Sequence, residues 1–186
     1  MATLTFLTEN KELIHAIEAW EEILLSLDEL TITAKRNKQN RSIKEILGHL
    51  ADSASNNTHR IVHLQYQDSP LLFPDYAYNG NNDRWIKIQD YQSENWINLV
   101  QRWKYLNLHF AHIVEHVDQS KYSNTWISGE GRHISLSEMI AGYYPHFRLH
   151  MNEIGELGEL SELSERSDFS ERSEGSDEAN EENEAN

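Results

Sequence analysis

A chain of 186 residues without cysteine, with a net charge of −15 at pH 7, suits one domain and excludes disulfides, thiolate metal sites and a protein-borne thiol nucleophile. Most of the acidity sits in the tail, where twelve Asp and Glu from Gly155 onward face only Arg166 and Arg172. Neither half offers the basic surface that phosphate recognition demands, so no nucleic-acid partner is expected.

No window approaches eighteen apolar residues, and Met1 to Glu9 lacks the basic region and apolar run of a signal peptide. A soluble cytoplasmic protein with no membrane partner is therefore expected. A first helix should open at Thr8, since Leu13, Ile17, Trp20, Leu24 and Leu27 alternate in steps of four and three and form one apolar stripe. The polar run from Lys35 to Arg41 reads as an exposed connection. Ser42 and Glu45 then have the spacing of a capping box. The second helix should run from Ile43 to about Gln65, burying Ile46, Leu47, Leu50, Ala54 and Ile61. It carries His49, with Ser53, Asn56 and Arg60 on the same face and Asp52 at its edge. Such a polar strip faces either solvent or an internal cavity.

Residues 66 to 92 form a long connection rich in turn formers, whose Phe73, Tyr76, Tyr78, Trp85 and Tyr91 predict an ordered segment packed on the bundle. It would lid a pocket or cover the core. A third helix should start near Ser93, with Leu99, Trp103, Leu106, Phe110, Ile113 and Val117 along its seam. His109, His112 and His116 lie on its flank. Their spacing permits a second metal cluster, but with no obvious acidic or histidine partner elsewhere they read as boundary histidines.

After a loop from Lys121 to His133, Ser135 and Glu138 form a second capping box and open a fourth helix. Pro145 should kink it, eased by Gly142, or restart it as a first helical residue. Either way His146 and His150 stack one turn apart on one face, two potential ligands on a rigid element. A metal site commonly needs a third protein ligand, and His49 is the candidate. From Gly155 the chain turns to acidic triplets such as Gly-Glu-Leu and Ser-Glu-Leu, whose composition predicts a disordered tail over 155–186 behind a domain over 1–154.

The stretch from Ser42 through His49 to Ser53 resembles the start of the second helix in the DinB-like (YfiT-like) metal-binding four-helix bundles. Asn56-Asn57, Arg60, Trp85, Tyr91, Trp96, Trp103 and Asn107 are similar to that family's pattern. So is the closing motif, Tyr143-Tyr144-Pro145-His146-Phe147-Arg148-Leu149-His150 with Ile154 beyond. The resemblance spans roughly Thr8 to Ile154. It departs at Leu149, where many members have a further histidine, and at Pro145.

The resemblance implies an all-α protein, an antiparallel four-helix bundle with long connecting loops, whose metal ligands are His49, His146 and His150. It also implies a divalent ion such as zinc, nickel or iron. Characterised members of the family include metal-dependent transferases and isomerases that use low-molecular-weight thiols such as bacillithiol or mycothiol. Two readings of function follow. One is a metal-dependent thiol transferase or hydrolase acting on a small molecule, with Asp52, Ser53, Asn56 and Arg60 lining its pocket and Arg60 suited to a substrate carboxylate. The other is a non-catalytic, stress-associated bundle with a structural or vestigial metal, working as a homodimer. A third, histidines with no metal at all, is the simplest alternative.

Overall fold

The computed structural model describes residues 2–160. Helix α1 spans Ala2–Ser26 and buries Leu13, Ile17 and Leu24. It begins earlier than the Thr8 expected from its stripe, because Phe6 is itself buried and packs edge-on against Tyr122 at 5.6 Å. A short helix α2, Glu29–Ala34, follows, with Asp28 as its N-cap. Helix α3, Ile43–Tyr66, opens on the expected capping box: the Ser42 hydroxyl accepts from the Glu45 amide at 3.2 Å, and Glu45 accepts from the Ser42 amide at 2.8 Å. Each bond satisfies a donor that the first helical turn would otherwise leave orphaned.

The two segments expected as loops carry structure of their own. Strand β1 (Leu71–Leu72) and helix α4 (Asn81–Gln89) lie within 66–92. Helix α5 spans Trp96–Glu115 and is capped by Asn95. Strands β2 (Thr125–Ile127) and β3 (His133–Ser135) occupy the next connection. β2 pairs parallel with β1 and antiparallel with β3. Strands of two or three residues leave too little alternation to register as a period in the sequence. Helix α6, Leu136–Leu157, opens on the second capping box and continues through Pro145.

Side-chain bonds between helices give their directions. Asn10 bonds Ala111 while Glu21 bonds Gln101 and Lys104, so α1 and α5 are antiparallel. Asn37 meets Glu153, His49 meets His146, and Asn124 meets Leu64, so α3 and α6 are antiparallel as well. Lys44 with Gln92, Asp52 with Arg102, and Gln65 with Asp118 show α3 and α5 running the same way. That explains the long 66–92 connection. A parallel successor requires the chain to travel back along a helix of about 36 Å before it can restart.

The core lies between the four long helices. Trp103 stacks on Phe147 at 5.9 Å and Phe110 on Tyr143 at 3.7 Å. Tyr143 donates to Asn107 at 2.7 Å, so its buried hydroxyl is satisfied. No helix among the described residues is long and apolar enough to cross a membrane. The tail expected over 155–186 begins inside α6, and its residues 161–186 lie outside the described residues.

Candidate metal centre

His49 sits two turns inside α3, and His146 and His150 sit one turn apart on α6. Because those helices pack side by side in opposite directions, one ring from α3 meets two from α6. Nε2 of His49 lies 3.4 Å from Nε2 of His146. The His150 ring centroid is 4.8 Å from that of His49 and 4.7 Å from that of His146. One ligand nitrogen from each ring falls within 4.8 Å of the other two. Two nitrogens bound to one tetrahedral ion at about 2.05 Å stand about 3.3 Å apart. The His49–His146 spacing is that of two ligands sharing an ion.

Partners behind the rings fix how they present. Nδ1 of His150 is 2.8 Å from Oε2 of Glu153, one turn further along α6, and Asn37 donates to the same oxygen at 3.1 Å. A carboxylate only accepts, so the proton sits on Nδ1 and Nε2 carries the free lone pair. The Asn82 side chain, in the first turn of α4, lies beside the His49 ring. Buried Nδ1 of His49 and buried Oδ1 of Asn82 each lack a hydrogen-bond partner among the described residues.

Electrostatics favour neutral rings. Burial, then the neighbouring His146, His150 and Arg41, holds His49 well below the ordinary imidazole value. Burial and His150 push His146 down to about 4, against an opposing pull from Glu153. Neutral imidazoles are the form a metal ion binds, so His49 and His146 could take one without first releasing a proton at pH 7.

The 66–92 connection covers this centre. The Tyr76 ring stands 6.3 Å from His49 and 5.7 Å from Trp85, and burial pushes its hydroxyl up to about 12. Arg41, largely buried, pairs with Asp83 at 2.7 Å and ties the first turn of α4 to the start of α3. Tyr91 lies flat on α3 at Gly48, where an added Cβ would stand 2.3 Å from its ring. Only glycine permits that approach.

Of the residues expected to line a pocket, Asp52 and Ser53 are buried one turn beyond His49. Asp52 accepts from Gln89 at 2.6 Å and has Arg102 at 3.6 Å. Burial raises its carboxyl, with the neighbouring Tyr91 and Trp85 side chains and the Arg102 charge opposing. Ser53 lies beside the Tyr76 hydroxyl. Half-buried Asn56 donates back to the Asp52 carbonyl at 2.9 Å. Arg60 lies eleven residues from His49, about 16 Å along the helix. Its guanidinium stacks 4.2 Å over Trp126 and 5.8 Å from both Phe73 and Tyr76, and Asp75 answers its charge at 3.9 Å. Arg60 therefore grips the covering segment from below.

Arg41, Asn82 and Glu153 join the site without having been singled out in the sequence, and Tyr76 was expected only as one aromatic of an ordered segment that would lid a pocket or cover the core. Glu153 was the legible one, three residues after His150 on the same helix face. The other three depend on how the long connection folds back.

No protein-family model matches the sequence, and no curated protein matches it. Solved structures do share its fold. YfiT from Bacillus subtilis, described as a probable metal-dependent hydrolase with an unusual four-helix bundle topology, superimposes with a TM-score of 0.70 at 14% identity, over 86% of this chain and 87% of that one. A mycothiol-dependent maleylpyruvate isomerase gives 0.67 at 12% identity, over 82% of this chain and 60% of the isomerase. The chain thus shares the four-helix-bundle fold of YfiT.

Proposed function

We propose that this chain is a metal-dependent enzyme acting on small molecules, with thiol transfer or hydrolysis as its reaction class. His49, His146 and His150 would hold one divalent ion. The observation that carries this reading is the 3.4 Å approach of two imidazole nitrogens, one on buried His49 and one on half-buried His146, with His150 beside them. Imidazole suits zinc, nickel and iron alike. When bound, such an ion supplies Lewis acidity, lowering the pKa of a thiol or water that reaches it. The lack of cysteine means that any thiol must arrive from outside. Within the chain, Glu153 would hold the His150 tautomer, and Tyr76 covers His49. Asp52 and Ser53 line the approach, with Asn56 and Arg60 further along the same face. Similarity in fold to a probable metal-dependent hydrolase and a mycothiol-dependent isomerase supports the same reaction classes.

The test is metal content by mass spectrometry at neutral pH without chelator, wild type beside His146→Ala. Near-stoichiometric metal that vanishes in the variant is the expected result. Wild type that is metal-free and refuses zinc and nickel on titration overturns the proposal. The burial of His49 beneath Tyr76 favours a second reading, a closed structural ion. Cobalt-substituted protein separates the two. An optical spectrum that changes on adding a small thiol marks an open coordination position, and an unchanged spectrum marks a closed one.

A further inference from the structure

A second set of metal-ligand side chains lies outside this centre, at the C-terminal end of α5. His112, Glu115 and His116 each offer one ligand atom within 4.8 Å of the other two, and all three are exposed. The histidine flank of the third helix therefore has its acidic partner on its own helix, in the residue just before His116. His109 stacks on His112 at 6.3 Å but stands outside the set.

Two of the three ligands are already oriented. Nδ1 of His116 is 2.7 Å from the backbone carbonyl of His112. A carbonyl only accepts, so the neutral ring carries its proton on Nδ1 and turns an unprotonated Nε2 outward. This is the backbone-carbonyl version of the outer partner that Glu153 provides to His150. Glu115 is held from α1. Buried Asn10 is anchored on the Ala111 carbonyl at 3.0 Å and reaches Oε1 of Glu115 at 3.4 Å, leaving Oε2 uncommitted. The location adds a third factor, because a cation at the last turn of a helix faces the negative end of its dipole. Two imidazoles and one carboxylate on a single turn occupy one side of an ion and leave the other side to water, a donor set suited to zinc, nickel, cobalt or copper.

We propose that His112, Glu115 and His116 form a second, solvent-facing site for a divalent transition-metal ion, separate from the buried histidine centre and exchanging freely with solution. The separation follows from the fold. The amide of Asp118, just beyond α5, bonds Gln65 at the far end of α3. His49 lies sixteen residues earlier on that helix, about 24 Å away along its axis. The two sites should fill independently. The exposed one should be weaker, since water competes for its ligands and screens its carboxylate.

The experiment is equilibrium dialysis of chelator-stripped full-length protein against nickel, and separately zinc, at pH 7.5. Wild type, His146→Ala, His116→Ala and the double variant His112→Ala/His116→Ala are compared. Wild type should take up two equivalents, the second at least about tenfold weaker, a gap of about 1.4 kcal/mol. His146→Ala should lose the tight equivalent alone. His116→Ala and the double variant should lose the weak one alone, and surface substitutions of this kind leave the fold intact. Glu115→Gln, which keeps the shape and removes the charge, should weaken that second step. Wild type saturating at one equivalent overturns the proposal. So does a second equivalent that survives in the double variant, which would place it elsewhere, for instance on the stacked His59–His63 pair of α3. Nickel-induced broadening of the His112 and His116 ring signals, with no effect on His59, gives the assignment a readout independent of stoichiometry.

Discussion

His146–His150 on α6 and His112–His116 on α5 share one local design, two histidines a single helical turn apart with a glutamate close by in sequence. Their surroundings are opposite. On α6 a third imidazole arrives from α3, Tyr76 and Asn82 close over the top, and the carboxylate stands behind a ligand ring. On α5 the pair is exposed among the described residues, and the carboxylate is itself a candidate ligand. Helical spacing can therefore supply a ligand pair at any point on a bundle. What makes one of them a prospective reaction centre is the neighbour that removes water and brings the next ligand.

The sharpest way to break this contrast is to remove the ligand contributed by the neighbouring helix. His49→Ala should abolish tight metal uptake and leave weak uptake on α5 unchanged, as read by dialysis. Equal loss at both would mean that the sites are coupled. The next largest effect is on stability in metal-free protein. His49 and His146 have lowered values in the fold, so the unfolded chain takes up their protons first. Stability should therefore be full above about pH 6.5 and fall as pH drops toward 4, by about 3 kcal/mol from His146 alone. Urea unfolding of the chelator-treated protein across that range checks it, and a flat profile would contradict the neutral, buried rings. The His112→Ala/His116→Ala background should show the same slope.

Glu153→Gln comes third. An amide can still accept from His150 but brings no charge, so tight-site affinity should fall by about 10- to 100-fold. Competition against a fluorescent chelator measures that change. Smallest of all, His112→Ala should shift unfolding free energy by no more than about 0.5 kcal/mol, because its ring is exposed.

Much of this was legible before any coordinates. Ser42 with Glu45 and Ser135 with Glu138 placed the starts of α3 and α6 because capping boxes are local signals. Once those starts are known, helical phase places His49, His146 and His150. Expectation and structure part where non-local contact decides. Phe6 extends α1 by reaching Tyr122, and β1 exists only because β2 lies beside it. Asn82 and Arg41 reach the centre through the fold of a connection whose own pattern reads as turns. Arg60 shows the same limit from the other side. Its phase on α3 matched His49, but eleven residues of helix carried it to the base of the covering segment, among Trp126, Phe73 and Tyr76.

The contact between Gly48 and Tyr91 has an evolutionary consequence. Glycine inside a helix costs about 1 kcal/mol relative to alanine, and here it admits a ring that a single methyl group would displace. Positions 48 and 91 should therefore change together among descendants of this chain. A lineage that gains a side chain at 48 must shrink or move the aromatic at 91, which also lies beside Asp52. Drift in the covering segment and drift on the helix beneath it are then a single event rather than two independent ones.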